Sequence, residues 1–252
     1  MTLATATFTK KKFTQLKIQQ QHRQCSILLR QLYETKTVDL SVYNVFLSWM
    51  HLNSWEMSDL KSLSDRYHYH LKEAGLNLKE HNLLPVIRTG DRNAKCEFAP
   101  VAIFLDHVRS AYNVGSILRT TEALRIGGVH FGGNTPFIDN EKVHRTAMGA
   151  AEIVPCFANA TLDSLPKPII LLDTSETAIP VSDFIFPESF TLVLGNEEYG
   201  VSDKSIAQAT YVIEVPMLGS KNSLNIACAF AIAAAEIRKQ ISARQQALIE
   251  ID

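Results

Sequence analysis

Five short apolar runs punctuate the chain's second half, at residues 101–105, 129–131, 169–172, 190–194 and 211–215. Several are unbroken rather than alternating, and helix-compatible segments lie between most of them. Unbroken runs of this length suit strands buried on both faces. Alternation with helices predicts an α/β fold with a mostly parallel sheet. A last helix is predicted from Ser223 to about Gln240, rich in alanine and so open to close neighbours. The pairs Gly127-Gly128 and Gly132-Gly133 read as turns at the two ends of one strand. Neither a G-x-G-x-x-G order nor a following Lys-Ser/Thr is present to make them a phosphate cradle. No internal repeat is visible.

The first hundred residues carry a different pattern. Val38, Val42, Val45, Phe46, Trp49 and Leu52 recur at three- and four-residue steps, with Asp39 as a possible cap. A second helix is predicted over 58–74, stopping at Gly75. Leu60, Leu63, Tyr67 and Leu71 would line its buried face, with Arg66, His68, His70 and Lys72 largely elsewhere. Interleaved aromatic and basic side chains suit an RNA surface and suit an ordinary amphipathic helix equally well. Lys10-Lys11-Lys12 and Gln19-Gln20-Gln21 leave little to bury, so residues 1–25 are expected to be a flexible basic arm. The divisions predicted are 1–25 as arm, 26–95 as a helical RNA-binding extension with a linker over 77–99, and 96–252 as the α/β domain.

Charge sharpens this division. Residues 1–95 hold 14 Lys and Arg against 8 Asp and Glu, a net of +6, while residues 96–252 have a net of −7. A basic segment joined to an acidic domain points to nucleic acid, or to mutual neutralisation of the two halves. Apolar content of 46% is that of an ordinary globular protein. The longest apolar run, 227–235, is far short of a bilayer span, and residues 1–9 lack a signal-peptide pattern. A cytoplasmic protein is expected. Cys25, Cys96, Cys156 and Cys228 form no CxxC, and His68 and His70 are the only close histidine pair. Free thiols and no metal site are expected.

Three blocks carry the chemistry. The first is Asn113-Val114-Gly115-Ser116-Ile117-Leu118-Arg119-Thr120. The second is Leu194-Gly195-Asn196-Glu197-Glu198-Tyr199-Gly200. The third runs from Val215-Pro216-Met217 to Ser223-Leu224-Asn225. The last two begin as an apolar run ends, where an open α/β sheet presents loop backbone to a ligand. In this order they resemble the signature motifs of the SpoU/TrmH family of SPOUT RNA methyltransferases, over roughly residues 100–240. The resemblance implies S-adenosylmethionine-dependent methylation of a ribose 2′-hydroxyl in structured RNA. It also implies a deep trefoil knot at the domain's C-terminal end and a homodimer. A catalytically silent RNA-binding factor and a base methyltransferase of the same fold are the alternatives. The N-terminal region does not resemble the ribosomal-protein-like domain of several rRNA-directed relatives, which favours tRNA slightly over rRNA.

Ribose methylation joins a weakly acidic hydroxyl to an activated methyl group. The protein must hold the two in line, help a proton leave and grip the adjoining phosphate. An arginine fork suits the last task. The resemblance makes Arg119 the catalytic residue, with Asn113, Glu197 and Asn225 beside it; helix capping alone would also explain Asn113, and Glu197 would fix the motif loops or pair with Arg119. It puts the methyl donor against Gly195, Val215 and Leu224, with Met217 and Thr174. Glycine at 195 would let ligand approach backbone closely. Arg109, Arg145, His144 and Ser223 are the candidate RNA contacts. Ser223-Leu224-Asn225-Ile226-Ala227-Cys228 departs from the family's usual Ser-Leu-Asn-Val-Ser-Val by losing the hydroxyl at position 227.

Overall fold

A computed structural model describes residues 8–35, 39–76 and 93–249. The chain divides into two units, Met1–Asp91 and Arg92–Asp252. Among the described residues no helix is long and apolar enough to cross a membrane. Nor do three or more His, Cys, Asp or Glu side chains gather as metal ligands.

The first unit is helical: α1 (Lys10–Thr14), α2 (Ile18–Glu34), α3 (Ser41–Trp49) and α4 (Leu60–Glu73). The flexible arm expected over 1–25 is corrected from residue 8 onward, residues 1–7 lying outside the described set. Phe13 is fully buried, its ring 4.5 Å from that of Phe46 and 5.5 Å from that of Trp49. The lysines and most of the glutamines occupy the solvent side of α1 and α2, while Phe13, His22 and Cys25 face inward. Burying one such ring stabilises by about 2 kcal/mol, enough to fix a short helix whose composition is otherwise polar. The inward face of α3 also differs from the predicted one. Tyr43, Phe46 and Leu47 are buried, while Val42 and Val45 are exposed; Val38 lies outside the described residues. Asp59 caps α4 in a capping box with Ser62.

Two side chains predicted for the outer face of α4 are internal. Arg66 donates from Nε to Tyr43 Oη at 2.6 Å and lies over the Tyr69 ring at 4.8 Å. His70 is fully buried, with Nε2 2.7 Å from Tyr43 Oη and Nδ1 2.9 Å from His22 Nδ1. Burial, and then the charges of Arg66 and His22, push the His70 imidazole down to about 3. The unfolded chain binds that proton near pH 6.5, so folding stability falls as pH drops below about 6.5. Moving from pH 7 to pH 5 is expected to cost about 2 kcal/mol from His70 alone. Both tryptophans of the chain, Trp49 and Trp55, lie in this unit. Urea titrations followed by their fluorescence at the two pH values test the effect, which His70→Gln should remove. Equal midpoints in the wild type would refute it.

The second unit is built on seven parallel strands in the order β3-β2-β1-β6-β4-β7-β5. They are β1 (Val101–Asp106), β2 (Gly127–Gly132), β3 (Cys156–Phe157), β4 (Ile169–Leu172), β5 (Ile179–Pro180), β6 (Phe190–Leu194) and β7 (Tyr211–Glu214). Every residue of β1, β4 and β6 is buried. Their period-two alternation divides them between two cores. Ile103, Leu105, Ile170, Leu172, Leu192 and Leu194 face one, and Ala102, Phe104, Ile169, Leu171 and Val193 face the other. The first core is closed by α5 (Ala111–Leu124), α6 (Glu141–Ala147) and α8 (Ile226–Ile249). The short α7 (Asp203–Ile206) follows β6. The predicted runs coincide with strands, and the last helix is longer than predicted at its C-terminal end. Gly127, Gly128 and Gly132 lie within β2 rather than in flanking turns. A Cβ on Gly127 would sit 1.8 Å from the Val101 carbonyl oxygen, so the strand needs a bare backbone there.

Candidate active site

Three loops meet at the carboxyl ends of β1, β6 and β7. β1 leads into α5, whose first turn is capped by Ser110 Oγ, accepting from the Asn113 N–H. β6 ends at Leu194, and from Gly195 the chain turns through a backbone bridge between Asn196 and Gly200. β7 leads through residues 215–225 into α8.

Glu197 ties the first two together. Its carboxylate accepts from the backbone N–H of Arg109 at 2.8 Å, the backbone N–H of Ser110 at 3.0 Å and Asn113 Nδ2 at 2.7 Å. Asn113 then accepts at Oδ1 from Asn225 Nδ2 at 3.0 Å. Asn225 Oδ1 in turn accepts from the backbone N–H of Ala227 and Cys228, opening α8. One chain of hydrogen bonds therefore runs Glu197–Asn113–Asn225, joining residues 84 and 112 positions apart. Burial works against the Glu197 carboxylate. The Arg109 N–H, the Asn113 amide and the Ser110 N–H outweigh it and hold the carboxyl below its usual range. Sequence reasoning offered Asn113 as a helix cap, and Glu197 as a brace of the motif loops or a partner of Arg119. Ser110 is the cap, and Glu197 takes the bracing role by gripping the helix's first turn. The missing hydroxyl at position 227 leaves this network untouched, because Asn225 uses the backbone N–H there.

A cleft of about 320 Å³ opens beside this network, at the ends of β4, β6 and β7. Gly195, Val215, Leu224, Met217 and Thr174 all line it, as do Ser223, Glu197 and Asn225. Asp173, Glu198 and Glu214 add carboxylates that the sequence reading had not singled out. Such a concave, acidic, strand-end site suits a compact ligand carrying positive charge. The residues fit S-adenosylmethionine on these grounds. The carboxylates complement a sulfonium and an ammonium, and the loop backbones offer donors and acceptors to an adenine edge.

Gly195 lines the cleft, and the fold gives it a second reason to be glycine. A Cβ there would lie 2.5 Å from the Gly200 carbonyl carbon and 2.6 Å from the Val201 nitrogen. The close approach is by the chain's own 196–200 turn. Gly195→Ala is therefore expected to cost about 1–3 kcal/mol of stability as well as ligand affinity, because backbone must move. Thermal melting and calorimetry of the variant check this, and unchanged values in both would refute it.

Two buried polar residues missed by sequence reasoning brace the loops. Asn196 Nδ2 donates to the His107 carbonyl at 2.7 Å. Asp106, buried at the end of β1, accepts from the Ser202 N–H at 2.8 Å and lies 2.9 Å from His107 Nδ1. Burial opposes its charge, but the Ser202 and His107 hydrogen bonds hold the carboxyl below its usual range. The signal was an acid closing a wholly apolar run, a costly place for a charge without partners.

Arg119 is exposed on α5 and does not line the cleft. Its Nη1 donates to Met148 Sδ at 2.8 Å. The candidate RNA contacts are dispersed. Arg109 pairs with Glu198 at 2.6 Å, His144 lies 3.3 Å from Glu152, and Arg145 shares the last turn of α6 with His144. Ser223 alone of the four lies at the cleft.

Known proteins are similar to this chain over more than half of its length. The chain is 30% identical over 156 residues to the 23S rRNA (uridine(2479)-2'-O)-methyltransferase of Streptomyces viridochromogenes, covering 57% of this chain and 54% of that protein. It is 26% identical over 192 residues to the 23S rRNA (guanosine-2'-O-)-methyltransferase RlmB of Coxiella burnetii, covering 73% and 74%. The chain thus spans little more than half of the first relative. Among solved structures it resembles the SpoU methyltransferase AviRb from Streptomyces viridochromogenes in complex with AdoMet. There the TM-score is 0.51 and the identity 27%, over 59% of this chain and 62% of that one. A model of the SpoU rRNA Methylase family matches residues 100–235, from the first residue before β1 into α8. That match takes in more than half of the chain and all three loops of the cleft, and the chain belongs to the SpoU rRNA methylase family.

Proposed function

We propose that this protein transfers a methyl group from S-adenosylmethionine to a ribose 2′-hydroxyl in structured RNA. The observation that carries the reading is the Glu197–Asn113–Asn225 chain, which fastens three loops around one acidic cleft. Bound there, S-adenosylmethionine supplies an activated methyl group. The residues of the chain do the rest. The loop backbones and carboxylates hold the donor, and the braced loops keep its orientation. Arg119 grips the phosphate beside the target ribose, and its field favours loss of the hydroxyl proton. An arginine is a poor proton acceptor, because its guanidinium stays protonated in proteins.

Arg119 stands off the cleft of its own chain. A second copy that brings its own Arg119 to the cleft would complete the site, so a homodimer belongs to this reading. A trefoil knot in the C-terminal part of the domain and a cytoplasmic location belong to it too. The basic N-terminal unit supplies RNA affinity through phosphate contacts. Ribosomal RNA is the first substrate to test, because the relatives above are named for it; tRNA remains the second.

The deciding experiment incubates the protein with methyl-labelled S-adenosylmethionine and separate unmodified rRNA and tRNA pools, followed by nucleoside mass spectrometry. Label in 2′-O-methyl nucleosides is expected. Label confined to bases would replace ribose chemistry with base chemistry. Donor binding without transfer to either pool would favour a silent RNA-binding factor.

A further inference from the structure

Met148 is an unusual residue for its position. It ends α6 with φ 51° and ψ 48°, and Gly149 follows at φ 90°. The left-handed region at a helix end ordinarily takes glycine or asparagine, because a Cβ is strained there. Here a long apolar side chain occupies it and remains 42% exposed. No burial in the core accounts for that choice.

What the side chain does touch is Arg119, whose Nη1 donates to Sδ at 2.8 Å. The packing of α5 on α6 explains how they meet. Gly115 and Arg119 are one turn apart and share a face of α5. A Cβ on Gly115 would lie 2.5 Å from Thr146 Cβ and 2.9 Å from the Ala147 nitrogen. The last turn of α6 therefore rests directly on Gly115, and the next residue of the chain arrives over Arg119. The left-handed backbone at Met148 turns the chain there.

The chemistry of the acceptor matters as well. A thioether sulfur is a weak, uncharged acceptor. It can set the direction of a guanidinium without neutralising it. Among the described residues no carboxylate pairs with Arg119. A carboxylate there would compete with an RNA phosphate for the same fork.

We infer that Met148 is a positioning residue that holds the Arg119 guanidinium in place for an RNA phosphate while leaving its charge available. This rests on the ribose-methylation reading for its consequence in catalysis.

Three variants of the full chain test it. Met148→Gly relieves the left-handed backbone, so it should melt no lower than the wild type. It should nonetheless lose about 10-fold in kcat, with S-adenosylmethionine affinity unchanged, because the fork is no longer oriented. Met148→Leu keeps bulk without the sulfur and should show a similar loss. Met148→Glu should lose more, about 100-fold, by tying up the charge. Independently of activity, the 13C-methyl resonance of Met148 should shift when Arg119→Ala is introduced, and again when RNA is added to the wild type. Wild-type kcat in both the glycine and leucine variants would overturn the inference, as would a methyl resonance indifferent to Arg119→Ala. A wild type that methylates no RNA would instead overturn the ribose reading, and the resonance would still decide whether the contact forms.

Discussion

Replacing Arg119 by alanine is expected to lower methyl transfer to RNA by about 10²–10³-fold and to leave affinity for S-adenosylmethionine essentially unchanged. The separation follows from position. Arg119 is exposed on α5, bonded to Met148, and takes no part in lining the cleft. An interaction made with the RNA and strengthened in the transition state costs rate more than ground-state binding when removed. Arg119→Lys keeps the charge and loses the planar fork, so an intermediate rate is expected. Single-turnover rates with saturating donor, set beside calorimetry of donor binding, measure the two effects apart. A variant that loses donor affinity as much as rate would move Arg119 into the donor site. One with wild-type rate would remove it from the reaction.

Glu197→Ala should act on the other side of that division, weakening donor binding by about 10-fold or more. The substitution leaves the Arg109 N–H, the Ser110 N–H and Asn113 Nδ2 without their acceptor, and frees the 196–200 turn from α5. The carboxylate is open to solvent on one side, so water replaces part of what is lost and the estimate sits at the low end for charged hydrogen bonds. Glu197→Gln keeps one oxygen and should fall between. The pH dependence has a definite sign. The folded carboxyl titrates below its usual range, so its contribution is present above the unfolded value and is lost as pH falls through the folded one. Wild-type donor affinity should thus decline at the acid limit, and the glutamine variant should lack that part of the decline. Calorimetry across the acid range tests this, and identical profiles for the two proteins would refute it.

Much of the sheet could be read from the chain because its strands are buried on both faces. Residues 169–172 and 190–194 read as apolar runs and are strands with those bounds. The three blocks were also visible as local sequence, as was the division into a basic helical part and an acidic α/β part. What sequence could not supply was the partner of each side chain. Asn113 reads as a cap until Ser110 is seen to do that work, and nothing local to Gly195 shows that the 196–200 turn lies against it. Lys10-Lys11-Lys12 suggests an arm until Phe13 is seen inside a core. Each error has one physical cause. Periodicity records which way a residue faces on its own element, and the energy of a site lies in contacts between elements. Here those contacts depend on β1 lying beside β6 and on β4 lying between β6 and β7, an order that brings residues 113, 197 and 225 within hydrogen-bond reach. The chain's own patterning determined the strands, the helices and the chemical types at the loops. Strand order and helix packing decided which of those groups meet, because only the folded backbone brings distant polar groups close enough to bond.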